Sequence, residues 1–352
     1  MAYTTIKKPS DYFNTKLYTG NGTSQSITGV GFQPDLVWTK SRTEARGHNL
    51  MDAVRGTSSW LGTNSTSAEQ NVTTGITSFD SNGFSIGTGA DFNNNSQNYV
   101  SWNWLASNTT ASNTDGSITS TVTANTTSGF SIVKYTGDGT NTATIGHGLG
   151  VTPSMVIMKP LDYVGAWWIT HKNLSTDNVL EFNTNAQVSY SSFGGGGLRQ
   201  SQYTSLVITG GAGSSNSNLW NQSGQNYIAY CFAEKQGFSK FGSYTGNGST
   251  DGTFVYTGFK PAFVIVKCSS SDQTGNAWWI MYDNKRIGYN SDNRHLGANS
   301  NDAEYTANSI DLLSNGFKLR DTNSSRNASG STYIYMAFAE EPLVGDNPCT
   351  AR

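Results

Sequence analysis

The sequence predicts an all-β protein of three tandem antiparallel β-sandwich domains with a jelly-roll-like pattern. Three observations carry that expectation. A decamer ending in Lys occurs three times, as GFQPDLVWTK (Gly31 to Lys40), GVTPSMVIMK (Gly150 to Lys159) and GFKPAFVIVK (Gly258 to Lys267). An aromatic-rich run also occurs three times, as NYVSWNWLA (from Asn98), NYIAYCFAE (from Asn226) and TYIYMAFAE (from Thr332). The composition suits short strands and tight turns: 39 glycines, 12% aromatic residues and 13% charged residues, against about 25% charged in an average globular domain.

Within each copy the pieces keep one order. A turn comes first, written YTGNG at Tyr18, YTGDG at Tyr135 and YTGNG at Tyr244. Asn-Gly and Asp-Gly tolerate positive φ, so these are expected as two-residue hairpins. The proline-led decamer follows. Its five-residue run, MVIMK or FVIVK, is apolar up to its lysine without alternation, short for a helix and rich in β-branched side chains, which predicts a strand buried on both faces. Proline at its entrance forfeits no ladder hydrogen bond. The terminal Lys40, Lys159 and Lys267 are expected as charged strand ends in water, with a shared contact between units as the alternative. Two copies then carry AWWI, at Ala166 and Ala277, and two carry SNGF, at Ser81 and Ser314. The aromatic run closes the unit as another strand. One helical turn is expected in EARGHNLMDAVRG (Glu44 to Gly56), in the first copy alone.

The three prolines, Pro34, Pro153 and Pro261, recur at a loose period of about a hundred residues, too long for a solenoid. The boundaries that follow are 1–106, 128–234 and 236–341 for the units. A Ser/Thr/Asn-rich linker is expected at 107–127 and an extended tail at 342–352.

Net charge is −2 with no basic cluster, which argues against a nucleic-acid partner. No apolar stretch approaches the ~18 residues that span a bilayer, so no membrane insertion is expected. The N-terminus lacks the apolar run of a secretory signal. Cys231, Cys268 and Cys349 are too few and too scattered for a disulfide framework.

No cofactor or metal is expected. His48, His147, His171 and His295 are scattered, without a His-x-x-x-His pair, and are expected as solvated loop residues. No Gly-x-Ser-x-Gly elbow or phosphate loop appears, and no Asp-x-Asp-x-Asp-Gly calcium loop. The chain is therefore read as a non-enzyme. The candidate ligand- or interface-binding residues are Trp167, Trp168, Trp278 and Trp279. Adjacent strand residues point to opposite faces, so one indole of each pair can fill a core while the other meets a neighbour or a sugar. Burial of both at a sheet boundary is the plainer expectation. Arg294 and His295, in the polar loop YNSDNRHLG (Tyr289 to Gly297), join the candidates as hydrogen-bonding groups. The loop SYSSFGGGGLRQ (Ser189 to Gln200) is a second source of such groups.

The segment from Gly31 to Gly56, followed by SFDSNGFSIG and NYVSWNWLA, resembles a repeated domain of tail and structural proteins of marine bacteriophages. KLYTGNGTSQSITGVGFQPDLVW near the N-terminus and FAEEPLVGDNPCTAR at the C-terminus resemble the ends of such proteins. The first unit matches best; the other two lack its VRG segment. The resemblance implies a virion structural protein assembled in the host cytoplasm, a tail appendage or fibre-like component. Its implied partners are other virion proteins and a host cell-surface glycan, and a homo-oligomer, with a trimer as one stoichiometry, is expected by analogy. A capsid decoration or knob protein is the alternative, and a glycan depolymerase a third. The tail from Pro342 is expected to dock on a neighbouring unit or subunit.

Overall fold

Strand-forming residues dominate the chain, and the computed structural model of the protein is correspondingly almost all strand. It describes residues 4–140, 142–175, 178–183, 197–210, 219–270, 277–286, 290 and 294–342. The decamers form the proline strands Leu36–Ser41, Met155–Pro160 and Phe259–Cys268. The first two are buried at every position, as expected of apolar runs without alternation. Pro34 and Pro153 precede their strands. Pro261 instead lies within its strand at a register shift, where a missing N–H is tolerated.

Each proline strand is the third member of an antiparallel row. An opening strand (Phe13–Thr19, Phe130–Thr136 or Ser239–Thr245) pairs with a closing strand (Asn98–Trp104, Asn226–Phe232 or Thr332–Pro342). The closing strand pairs with the proline strand, which pairs with a fourth strand, His48–Asp52, Trp168–His171 or Ile280–Asp283. All three segments place the strands in this order. They also share a register: Trp38 lies opposite Leu50 and Trp102, Ile157 opposite Ile169 and Tyr230, and Ile265 opposite Met281 and Met336.

A smaller sheet covers one face of each row. Gln25–Thr28, Gly83–Ile86 and Ile76–Asp80 form it in the first segment, and Phe254–Tyr256, Gly316–Leu319 and Ile310–Leu313 in the third. Thr144–Gly146 and Val207–Thr209 do so in the second. The layer between main and small sheets is a local core: Val37 and Met51 with Phe84 in the first segment, Val156 and Met158 with Ile208 in the second, Val264 and Val266 with Phe317 in the third.

Three local expectations are corrected. The stretch 107–127 is not a bare linker: Ala111–Asn113 and Ser120–Asn125 extend the second main sheet to seven strands. The β-branched run Thr121, Val122 and Thr123 outweighs its polar composition. The segment Glu44 to Gly56 is a strand and a turn, since His48–Asp52 pairs with the proline strand. The YTGNG turns are not hairpins, because the strands on either side belong to different sheets. They are crossovers with a left-handed glycine, at φ 70° for Gly22, 78° for Gly139 and 65° for Gly248.

A buried asparagine holds each crossover. Asn93, Asn221 and Asn327 accept from the backbone N–H of Asn21, Asp138 and Asn247 at 2.9, 3.0 and 3.1 Å. The Asn221 amide also donates to Asp138 Oδ1 and to the Thr140 carbonyl, both at 2.7 Å. Asn221→Ala removes the partner of the Asp138 N–H and of the Thr140 carbonyl, while Asp138 Oδ1 keeps the Thr140 N–H and hydroxyl. We expect a loss of about 1–3 kcal/mol in denaturant unfolding; a change within error would show that the crossover holds without its clamp.

Candidate functional site

On the main sheets, the face away from the small sheet carries large apolar side chains in every segment. Trp38, Trp102 and Trp104 come from the first, Ile157, Trp167, Tyr230 and Phe232 from the second, and Phe263, Ile265, Trp279 and Phe338 from the third. These faces meet in one common core. An aromatic side chain buries ~150–250 Å², so each contributes roughly 4–6 kcal/mol of gross burial free energy. The void left inside is about 10 Å³, lined by apolar atoms of residues such as Trp38, Trp104, Phe182 and Met336. That is at the lower limit for a single water. Among the described residues the junction is thus packed, and this void is too small for a ligand.

Polar contacts around this core repeat cyclically. Trp167 Nε1 of the second segment donates to the Gly62 carbonyl of the first at 2.9 Å. Trp279 Nε1 of the third donates to the Glu181 carbonyl of the second at 3.0 Å. His48 Nε2 of the first meets the Gly297 carbonyl of the third at 2.9 Å. His48 Nδ1 accepts from Trp38 Nε1, which makes Nε2 the protonated nitrogen and so the donor to Gly297.

The receiving carbonyls stand in LGTN, LEFN and LGAN, at Leu61, Leu180 and Leu296. The asparagine of each motif accepts from the backbone N–H of the ring residue in its own segment. Asn64 serves His48 at 2.9 Å, Asn183 serves Trp167 at 2.8 Å and Asn299 serves Trp279 at 2.9 Å. This Leu-x-x-Asn recurrence is visible in the sequence, but the reading of strands and turns passes over it.

A second cyclic set lies on the same faces. Asp52 of the first segment accepts from the Tyr230 hydroxyl of the second at 2.8 Å and from Arg55 Nε at 2.6 Å. Asp283 of the third accepts from Trp102 Nε1 of the first at 3.0 Å and from Arg286 Nε at 2.6 Å. Glu69 and Glu304 brace the two arginines at 3.0 and 3.3 Å. The second segment has His171 in the corresponding place, whose Nε2 meets the Tyr335 carbonyl of the third at 3.1 Å. Its Nδ1 accepts from the Asn173 N–H, so Nε2 again carries the proton. In both sets the first segment contacts the second, the second the third and the third the first. That is a heterologous interface closed into a ring, here within a single chain.

Two expectations about exposure are corrected. Lys40, Lys159 and Lys267 are fully buried, not strand ends in water. Alternation places them on the same face as Trp38, Ile157 and Ile265. Their ammonium groups donate to backbone carbonyls: Lys40 to Ser41 at 2.7 Å, Lys159 to Pro160 at 2.9 Å and Lys267 to Ala277. Lys159 also reaches the Thr66 carbonyl of the first segment at 3.4 Å, so there the alternative of a contact between units describes the structure. Burial pushes Lys40 and Lys159 down to about 8 and Lys267 down to about 7. The histidines are buried as well, and burial lowers His171 to about 4 and His48 well below its ordinary value.

The structure separates the predicted site residues. Trp167 and Trp168 point to opposite faces and both are buried, one in the common core and one in the local core. Trp279 is in the common core, whereas Trp278 is half-buried at the edge of the third segment. Arg294 lies beside Glu304, Nη1 to Oε1 at 3.3 Å. Alternation puts its neighbour His295 on the other face, stacked with Tyr305 at 5.6 Å between ring centroids. Trp278 meets Tyr305 edge to face at 5.9 Å. Trp278, His295 and Tyr305 thus form an aromatic corner that the sequence reading only half assembles. Tyr305 is the residue it misses, and the strand pairing of His295 with Tyr305 is what brings it in. Most of the glycine-rich loop, and the tail beyond Pro342 with Cys349, lie outside the described residues.

A family model described as a domain of unknown function (DUF7483) matches residues 8–342, and the chain belongs to that family. No curated protein and no solved structure gives a significant match.

Proposed function

We propose that this member of the family is a non-enzymatic structural component of a bacteriophage virion, a tail appendage that presents a rigid β-built body to the host surface. The observation that supports the reading most is the closed ring. The side chains that recur from segment to segment fix the segments against one another, as a rigid appendage requires. The phage assignment itself rests on the resemblance of the segment around Gly31 to Gly56. Because the cyclic contacts close within one chain, a single copy supplies the threefold arrangement that such appendages otherwise reach by trimerisation. Partners would then be virion proteins docking on the outer surfaces.

Peptide mass fingerprinting of purified particles, with antibody labelling viewed by electron microscopy, tests this. Label at the tail is the expected result, and absence of the chain from purified particles ends the reading. The pseudo-threefold ring also suits a threefold position on a capsid; label confined to the head would select a decoration protein instead.

A further inference from the structure

The three segments repeat the frame of the ring, but one corner of the third departs from it. Trp278 stands at the register position held by Gly47 in the first segment and Ala166 in the second, directly before the ring residues His48, Trp167 and Trp279. Tyr305 stands six residues after Asn299, where Gln70 stands six after Asn64. The ring contacts need neither aromatic residue.

Trp278 packs against the chain at Gly297: a Cβ added there would sit 2.7 Å from the indole. Tyr305 is 42% exposed on the outermost strand of its sheet. The two rings meet at 67°, and His295 backs Tyr305 with its plane tilted by only 23°. His295 is 8% exposed and its Nδ1 is closed off from solvent, so the imidazole serves as backing for the Tyr305 ring. Partial burial, and then the charge of Asp302 beside it, raise the pKa of the Tyr305 phenol, and Asp302 accepts from Ser300 Oγ at 2.5 Å. An apolar shelf is therefore flanked by a carboxylate and a phenolic hydroxyl. A sugar presents the same combination in complement, a face of C–H groups with a rim of hydroxyls.

We propose that the corner formed by Trp278, Tyr305 and Asp302, with His295 backing Tyr305, binds a pyranose ring, stacked on the aromatic side chains with its hydroxyls directed to Asp302. The inference deepens the host-surface reading by naming the ligand class and place, and its chemistry holds whether or not the chain resides on a virion.

Saturation-transfer NMR and calorimetry on the full chain, with methyl glycosides of glucose, galactose, mannose and N-acetylglucosamine and their disaccharides, test it. We expect saturable binding of at least one probe, weakened tenfold or more in Tyr305→Ala and in Asp302→Asn and unchanged in Tyr256→Ala, an exposed aromatic elsewhere. Both affected residues lie at the surface, and an unaltered melting temperature certifies their fold. Absence of binding across the panel, or equal binding by Tyr305→Ala, overturns the proposal. Sugar binding by a chain missing from purified particles removes the virion reading alone; residence on particles without binding removes this site alone.

Discussion

Asp283→Ala should lower the stability of the whole chain by about 3–5 kcal/mol, the usual cost of stripping one partner from a buried ion pair. The Asp283 and Arg286 side chains are fully buried. Asp283 accepts from Trp102 Nε1 at 3.0 Å, from Arg286 Nε at 2.6 Å, and from the backbone N–H of Lys285 and Arg286 at 3.0 and 2.9 Å. Without the carboxylate, Arg286 keeps, among the described residues, the Met281 carbonyl at 3.0 Å, Glu304 at 3.3 Å and the face of Trp102, while the Trp102 Nε1–H is orphaned in an apolar core. Asp52→Ala should cost a similar amount through Arg55 and Tyr230, since the geometry is the same one segment away. The check is the denaturant midpoint at unchanged m-value. A loss below about 1 kcal/mol in both variants would mean that the buried network is not holding the ring.

Lys267→Met should have the second largest effect, in the opposite direction. Burial sets the folded pKa of Lys267 at about 7, below the 10.5 of an exposed lysine. Between those values the unfolded chain binds more protons than the folded one, so stability rises with pH from about 7 to 10.5. Below 7 the cost of the buried ammonium is fully present. Methionine fills similar volume without that cost, so the variant should be more stable at pH 7 by about 1–4 kcal/mol. The gain should shrink towards pH 10 and then reverse slightly, because the Ala277 carbonyl has lost its donor.

Lys40 and Lys159, held near 8, add slopes of the same sign in a narrower window. His171 and His48, lowered by burial, make stability fall again as pH drops through 6.5. Asp35, raised by burial to about 6, opposes them weakly between 3.8 and 6. Above pH 10 the buried tyrosines, such as Tyr230, reverse the trend, because the unfolded chain then loses its phenolic protons first. Wild type should therefore be most stable near pH 9–10. Unfolding midpoints measured from pH 5 to 10 decide the matter. A flat profile for wild type, or no gain for Lys267→Met at pH 7, would show that the lysine is hydrated.

Sequence and structure agree where local chemistry decides. An apolar run such as MVIMK has only one way to satisfy its backbone and bury both faces, so the proline and closing strands are legible. The second layer of information is not local. Lys159 reads as a solvated strand end until the register shows that it shares a face with Ile157 and meets the Thr66 carbonyl of a neighbouring segment. The YTGNG turns read as hairpins because Asn-Gly favours positive φ, and they keep that φ. What they connect is decided by which sheet the next strand joins, and a short peptide does not encode that. Asp52 and Asp283 share the spacing Asp-x-x-Arg, but their partners Tyr230 and Trp102 lie in other segments, so no window of sequence contains the pair. The aromatic corner is half legible for the same reason: Trp278 and His295 stand out as residue types, while Tyr305 enters through strand pairing.

Hydrogen exchange of the three closing strands, Asn98–Trp104, Asn226–Phe232 and Thr332–Pro342, tests the shared core most directly. Each strand presents one face to the common core, so none can open to solvent while the other two stay closed. The expected result is one protection free energy for the innermost amides of all three, equal to the global unfolding free energy and lowered by the same amount in Asp283→Ala. Distinct protection levels, with Asp283→Ala loosening the third strand alone, would show three independent sandwiches on a string.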